Sequence, residues 1–179
     1  MNPRDVYLNI DAYRDAMERL YKLIWRVPLR RYVLTYTLGA TGRRIGEAVL
    51  LTTRDIDFEN QRITWRILKK RRQDYFVTLP MSSRLGEVLR RYITFNAVAD
   101  ALFPITIRQA QLDVKKTFNE VGLYGWRPHD LRHAFILEAL LRTGNIELVR
   151  RWTQHSRYDE LLEYARVVGL EIDRPVVPW

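Results

Sequence analysis

Four short segments of the 179-residue sequence carry polar side chains whose types and spacing could do chemistry. In Thr41-Gly42-Arg43-Arg44-Ile45-Gly46-Glu47 a glycine turn opens a helix, and Arg44 and Glu47, three apart, share a face of it. Alone, that pair reads as a surface ion pair of little weight. Lys69-Lys70-Arg71-Arg72 is a basic hairpin tip, either solvated or in contact with phosphate. In His129-Asp130-Leu131-Arg132-His133, His129 and Arg132 can aim an imidazole and a guanidinium at one anion near a helix start. The bland reading of the same residues is a capping histidine and a surface arginine. His129 and His133 also have the i, i+4 spacing of helical zinc ligands. However, Asp130 stands where a metalloprotease helix needs Glu, and few other ligands exist, so no metal site is expected. The fourth segment, Thr153-Gln154-His155, is followed nine positions later by Tyr164. A tyrosine beside Leu161, Leu162 and Val168 reads as a core residue with its hydroxyl at the rim. With a phenol pKa near 10, its use as a nucleophile would need a base and a cationic site.

These residues need a scaffold, and the hydrophobic pattern predicts one. Apolar residues at helical spacing predict helices over 6–24, 29–38 and 43–51, with Gly39 and Gly42 breaking the pattern between the last two. Alternation then predicts short strands at 55–58, 62–67 and 75–79, a small antiparallel meander. Ser82 or Ser83 caps a helix to about Phe95. Further helices are expected over 106–121, 128–142, 145–153 and 158–167, with Pro128 as a first helical residue. The fold class is mostly α with a small three-stranded antiparallel sheet (α+β). The tail 171–179, with Pro175 and Pro178, is expected to be extended.

Composition narrows the function. Thirty Lys and Arg against 21 Asp and Glu give a net charge of +9, which points to a polyanionic partner. The absence of cysteine excludes disulfides, thiolate zinc sites and a cysteine nucleophile. No run of about 18 apolar residues would span a membrane. Residues 1–11 hold Arg4, Asp5 and Asp11 without an apolar core and do not read as a secretory signal, so a cytoplasmic location is expected.

In order along the chain, these segments resemble the tyrosine recombinase (phage integrase) family, over about 34–167. "TGRRIGEAVLLTTRDID" is similar to the first arginine segment, "ITWRILKKRRQDYFVTLP" to the lysine hairpin, "RPHDLRHAF" to the histidine–arginine segment and "WTQHSRYDELLEYARV" to the last segment. The resemblance implies a recombinase catalytic-domain fold. It also implies catalytic roles for Arg44, Lys70 (with Lys69 as the competing choice), His129, Arg132, His155 and Tyr164, with Glu47 as the supporting carboxylate. Gly46 stands in place of the usual serine, Arg43 in place of an apolar residue, Thr153-Gln154 in place of Leu-Gly, and Arg166 where many members have His. These departures mark a divergent member that keeps every catalytic group.

On that resemblance, Arg44 and Arg132 clamp a phosphodiester, with His155 as a further donor. Tyr164 attacks, His129 accepts or relays its proton, and Lys70 protonates the leaving oxygen. No ATP, metal or other cofactor is expected. The partner is double-stranded DNA, gripped largely through its backbone, with Lys69, Arg71, Arg72 and Arg43 among the candidate contacts. Arg30, Arg31, Arg62, Arg66, Arg90 and Arg91 are further candidates. The expected organisation is a helix and linker over 1–30, a catalytic domain over 31–168, and a tail over 169–179 that docks on a neighbouring protomer of a dimer or tetramer on DNA. The alternatives are a type IB topoisomerase and a non-catalytic DNA-binding protein.

Overall fold

A computed structural model describes residues 1–68, 73–155 and 157–170. Lys69, Lys70, Arg71, Arg72 and most of the expected docking tail therefore lie outside the described residues.

The chain opens with α1 (Pro3–Leu8) and α2 (Ile10–Arg26). Asn2 caps α1, its side chain accepting from the Asp5 N–H at 2.9 Å, and Asn9 separates the two helices. One continuous helix was expected over this stretch. In α2, Ile10, Tyr13, Ala16, Leu20 and Ile24 form a single buried stripe at helical spacing. These first thirty residues, expected as a segment ahead of the catalytic domain, share one core with the rest of the chain.

The axis of the fold is α3 (Arg30–Thr41), buried at every position from Tyr32 to Gly39. It packs against α2 and against α5 (Ser83–Phe95), α6 (Ile107–Val121) and α7 (Pro128–Thr143). Gly39 does not break α3 as expected. It lies where α2 crosses most closely: a Cβ there would fall 2.5 Å from Met17 Sδ, and the Tyr13 hydroxyl donates to the Gly39 carbonyl at 3.0 Å. The break comes at Gly42, whose φ of +62° is left-handed. Beyond it, α4 is a single turn (Ile45–Ala48), shorter than the expected helix, because Arg44 is extended at its N-cap.

The meander is β1 (Ile56–Asp57), β2 (Arg62–Ile67) and β3 (Tyr75–Pro80), antiparallel in sequence order, with Trp65 opposite Val77 and Ile67 opposite Tyr75. Ile63, Trp65 and Ile67 face the core, while Thr64 and Thr78 meet on the outer face at 2.9 Å. The side chain of Ser82 caps α5 and that of Thr106 caps α6. The chain ends in α8 (Ile146–Thr153) and α9 (Asp159–Val167), both packed on α7. Among the described residues, no helix is long and apolar enough to cross a membrane.

Candidate active site

The start of α7 carries the centre of the site. Pro128 takes a position where its missing N–H costs nothing, and the buried Asp130 carboxylate accepts the Arg127 N–H at 2.7 Å. Arg132 follows on the next turn and is 2% exposed. Its Nη1 donates to the Gly42 carbonyl at 2.7 Å and its Nη2 to the Thr153 carbonyl at 2.9 Å. One guanidinium therefore ties α7 to the turn after α3 and to the end of α8.

His155, just past α8, lies against the same group. Arg132 Nη2 is 3.2 Å from Nε2 and 3.4 Å from Nδ1, nearly equal distances that put the cation over the ring face. The Thr153 hydroxyl donates to the Val149 carbonyl at 2.7 Å, so its lone pair takes the Nδ1–H of His155 at 2.6 Å. The neutral ring then carries its lone pair on Nε2. Burial and the charges of Arg132, Arg44 and Arg43 push its pKa down to about 3. The ring packs on the Arg132 guanidinium, and its Nε2 lies 4.0 Å from the Glu160 carboxylate.

Glu47, fully buried, serves two cations. It accepts the Arg44 N–H at 3.2 Å and lies 3.4 Å from the Arg44 guanidinium and 3.8 Å from that of Arg43. The two arginines diverge from there. Arg44 is 43% exposed and opens into a cleft of about 750 Å³, lined also by Arg132, His129, Trp126, Lys115 and Gln111. Arg43, expected among the DNA contacts, turns inward. It lies 5.9 Å over Trp65 and donates to the Trp152 carbonyl, while its Nε and Nη1 are buried with no hydrogen-bond partner among the described residues. Burial pushes its pKa down to about 10, and burial plus the charges of Arg44 and Arg43 push that of Arg132 to about 9. Three guanidiniums with one carboxylate between them leave a surplus positive field suited to a phosphate.

Tyr164, on α9, is 7% exposed, and burial raises its pKa to about 12 while Arg132 pulls it down. Its hydroxyl lies 2.5 Å from Nδ1 of His133, with the rings 5.6 Å apart. His129, expected as the proton acceptor, is exposed at the cleft and meets the His133 ring edge-on at 4.6 Å. Sequence reasoning weighed His133 only as a metal ligand. Its spacing four residues from His129 was the available signal for a shared helix face. Among the described residues, no group of three or more His, Asp or Glu side chains could hold a metal ion.

Several other expected DNA contacts are held by the protein itself. Arg30 pairs with Asp113 at 3.0 Å, Arg31 with Glu120 at 2.9 Å, Arg66 with Asp74 at 3.1 Å, and Arg91 donates to the Ile24 carbonyl at 3.1 Å.

The two buried imidazoles set an acid limit. Burial first, and neighbouring charge second, lower His133 to about 4 and His155 to about 3, against 6.5 for an ordinary histidine. The unfolded chain therefore binds more protons than the folded one between pH 6.5 and about 4. This contribution to stability is intact above pH 6.5 and falls as the pH drops through that window. With two protons involved, the limiting slope is about 2.7 kcal/mol per pH unit. Urea melts from pH 7 to 4.5 measure it, and His155→Asn should flatten the curve. An unchanged curve in that variant would show that acid acts elsewhere.

Comparison with known proteins shows the family and the fold. Residues 12–169 match the phage integrase family. The tyrosine recombinase XerA of Saccharolobus solfataricus is 29% identical over 128 residues, covering 72% of this chain and 43% of that protein. A crystal structure of XerA recombinase superposes with a TM-score of 0.70 at 22% identity, over 84% of this chain and 56% of the other. The XerH site-specific recombinase bound to its difH substrate, in a pre-cleavage complex, gives a TM-score of 0.65 at 21% identity, over 84% and 48%. The chain thus spans about half the length of these proteins. With the match running across nearly all of α2 to α9 and the arginine, histidine and tyrosine segments in its order, the chain belongs to the phage integrase family.

Proposed function

We propose that this chain is the catalytic part of a site-specific DNA recombinase, which cuts and rejoins strands through a covalent 3′-phosphotyrosine without ATP or metal. The observation that carries this reading is the cleft where Arg44, Arg132 and His129 converge over one buried carboxylate, with Tyr164 held behind it on His133, whose ring meets that of His129. The scissile phosphate sits against Arg44 and Arg132, whose planar donors match its nonbridging oxygens. Tyr164 Oη attacks phosphorus, the P–O5′ bond breaks, and the 5′ oxygen takes a proton from Lys70. A 5′-hydroxyl from a partner strand reverses these steps and reseals. Exchange between two duplexes calls for more than one copy, so the protein works as a dimer or tetramer on double-stranded DNA, in the cytoplasm with that DNA. The similarity to recombinases named for this activity, one of them solved on its DNA substrate, supports the same reading.

A nicked suicide duplex tests it. Incubation is expected to give a protein–DNA adduct through the 3′ phosphate, able to ligate to a second duplex. Tyr164→Phe is expected to abolish the adduct, since it removes the attacking oxygen. An adduct that survives in this variant overturns the assignment of the nucleophile, and relaxation of plasmid without joining of partner sites identifies a topoisomerase.

A further inference from the structure

We infer that His133 is the group that takes the Tyr164 proton as the phenol attacks phosphorus. This rests on the strand-transfer reading above and goes beyond it, because the family pattern points to His129 for that role.

The geometry favours His133. Among the described residues, it is the hydrogen-bond partner of the Tyr164 hydroxyl, with Nδ1 2.5 Å from Oη. His129 lies one turn earlier, exposed at the cleft that Arg44 and the buried Arg132 also line, and meets the tyrosine's partner through the edge of the His133 ring. Helix geometry explains the division. Successive residues point about 100° apart on a helix, so Arg132 faces the cleft while His133, its neighbour, faces α9. A phenol has a single hydrogen and its partner here is a ring nitrogen, so Oη donates and Nδ1 accepts. That requires a neutral ring with its proton on Nε2. The surroundings keep it so: burial, His129, Arg132 and the amino group of Met1 all disfavour the charged form, and Asp130 alone opposes them. An incoming phosphodiester adds negative charge beside the ring and raises its basicity at the moment the proton moves.

The step balances. The Oη–H proton passes to Nδ1 and makes an imidazolium. The Oη–P bond forms, the P–O5′ bond breaks, and the departing oxygen is protonated by a separate acid, assigned to Lys70 above. On resealing, the attacking 5′-hydroxyl gives its proton back to the neutral Lys70 amine as the P–O5′ bond forms, the Oη–P bond breaks, and the imidazolium returns its own proton to Tyr164.

Single-turnover adduct formation on the suicide duplex tests this in His133→Asn and His133→Ala. Asparagine places Oδ1 where Nδ1 lies, keeping the hydrogen bond without the basicity. Both variants are expected to slow adduct formation about 100-fold, with duplex affinity unchanged and added imidazole restoring part of the rate to His133→Ala. On a substrate with sulfur replacing the bridging 5′ oxygen, whose thiolate leaves without an acid, the His133 defect should persist while that of Lys70→Ala disappears. If His133→Asn cleaves within threefold of the parent, the hydrogen bond alone matters and the inference is overturned. Loss of the defect on the sulfur substrate overturns it as well. A parent protein that forms no adduct with either substrate instead rejects the recombinase reading on which the inference stands.

Discussion

Lysine in place of Arg132 is expected to slow adduct formation on the suicide duplex by about 10³-fold, while duplex affinity changes only a fewfold. Arg132 spends its planar fork on two fixed carbonyls, those of Gly42 and Thr153, and still lies over the His155 ring. The phosphate therefore meets a guanidinium already aimed, with no reorganisation left for the transition state. An ammonium is a point charge on a flexible stem. It can reach one of those carbonyls, and it leaves the other buried and unpaired at a cost of about 1–3 kcal/mol. Crowding by Arg44 and Arg43 makes the site hard on any cation, since their charges and burial already lower Arg132 itself. A lysine there would shed its proton more readily and offer the phosphate less charge. Affinity is spared because most binding energy comes from backbone contacts spread over the DNA face. Rapid-quench cleavage with a parallel filter-binding titration measures both quantities. A variant cleaving within tenfold of the parent would mean that Arg132 is structural and that Arg44 carries the phosphate alone.

The sequence pattern was most informative where side chains act locally. The start of α7 at Pro128, the caps at Ser82 and Thr106, and the alternating faces of β2 follow from neighbours within four residues. The clustering of the arginine, histidine and tyrosine segments was expected from the resemblance instead, which supplied their order. What was not legible depends on contacts between distant elements. Gly39 reads as a helix breaker until α2 is laid across it. Arg43 and Arg44 are adjacent and identical in type, yet the side chain of one is buried over Trp65 and that of the other is 43% exposed at the cleft. The contacts of His155 with the Thr153 hydroxyl and with Arg132, twenty-three residues away, are likewise set by the packing of α8 on α7. His133 finds Tyr164 thirty-one residues away only because α9 folds back onto α7.

Alanine at Gly42 is expected to cost about 3 kcal/mol of stability, from left-handed strain and overpacking together. Two separate effects meet there. The φ of +62° is one that L side chains rarely adopt, and a Cβ would fall 2.5 Å from Phe135 Cδ1 and 2.9 Å from Cγ. Phe135 sits on α7 one turn beyond Arg132, and its Cβ would lie only 3.2 Å from the new methyl, so the crowding reaches the helix that carries Arg132 and His133. The Gly42 carbonyl is itself an anchor for Arg132 Nη1 at 2.7 Å, and the next two residues are Arg43 and Arg44. A strained turn at this point therefore displaces both cations proposed to face the phosphate, and adduct formation should fall with stability rather than independently of it. Gly125 separates the two effects. Its φ of +75° is equally left-handed, but a Cβ there would meet nothing within 4 Å. Gly125→Ala should thus show the backbone cost alone, about 1 kcal/mol. Truncating the side chain in Gly42→Ala/Phe135→Ala should remove most of the steric part and bring Gly42→Ala down toward the Gly125→Ala value, after allowing for Phe135→Ala by itself in a double-mutant cycle. Denaturant melts of these variants give the coupling directly. Additive losses at positions 42 and 135 would show that the turn and α7 are not in steric register, and that Gly42 is required only for its backbone conformation.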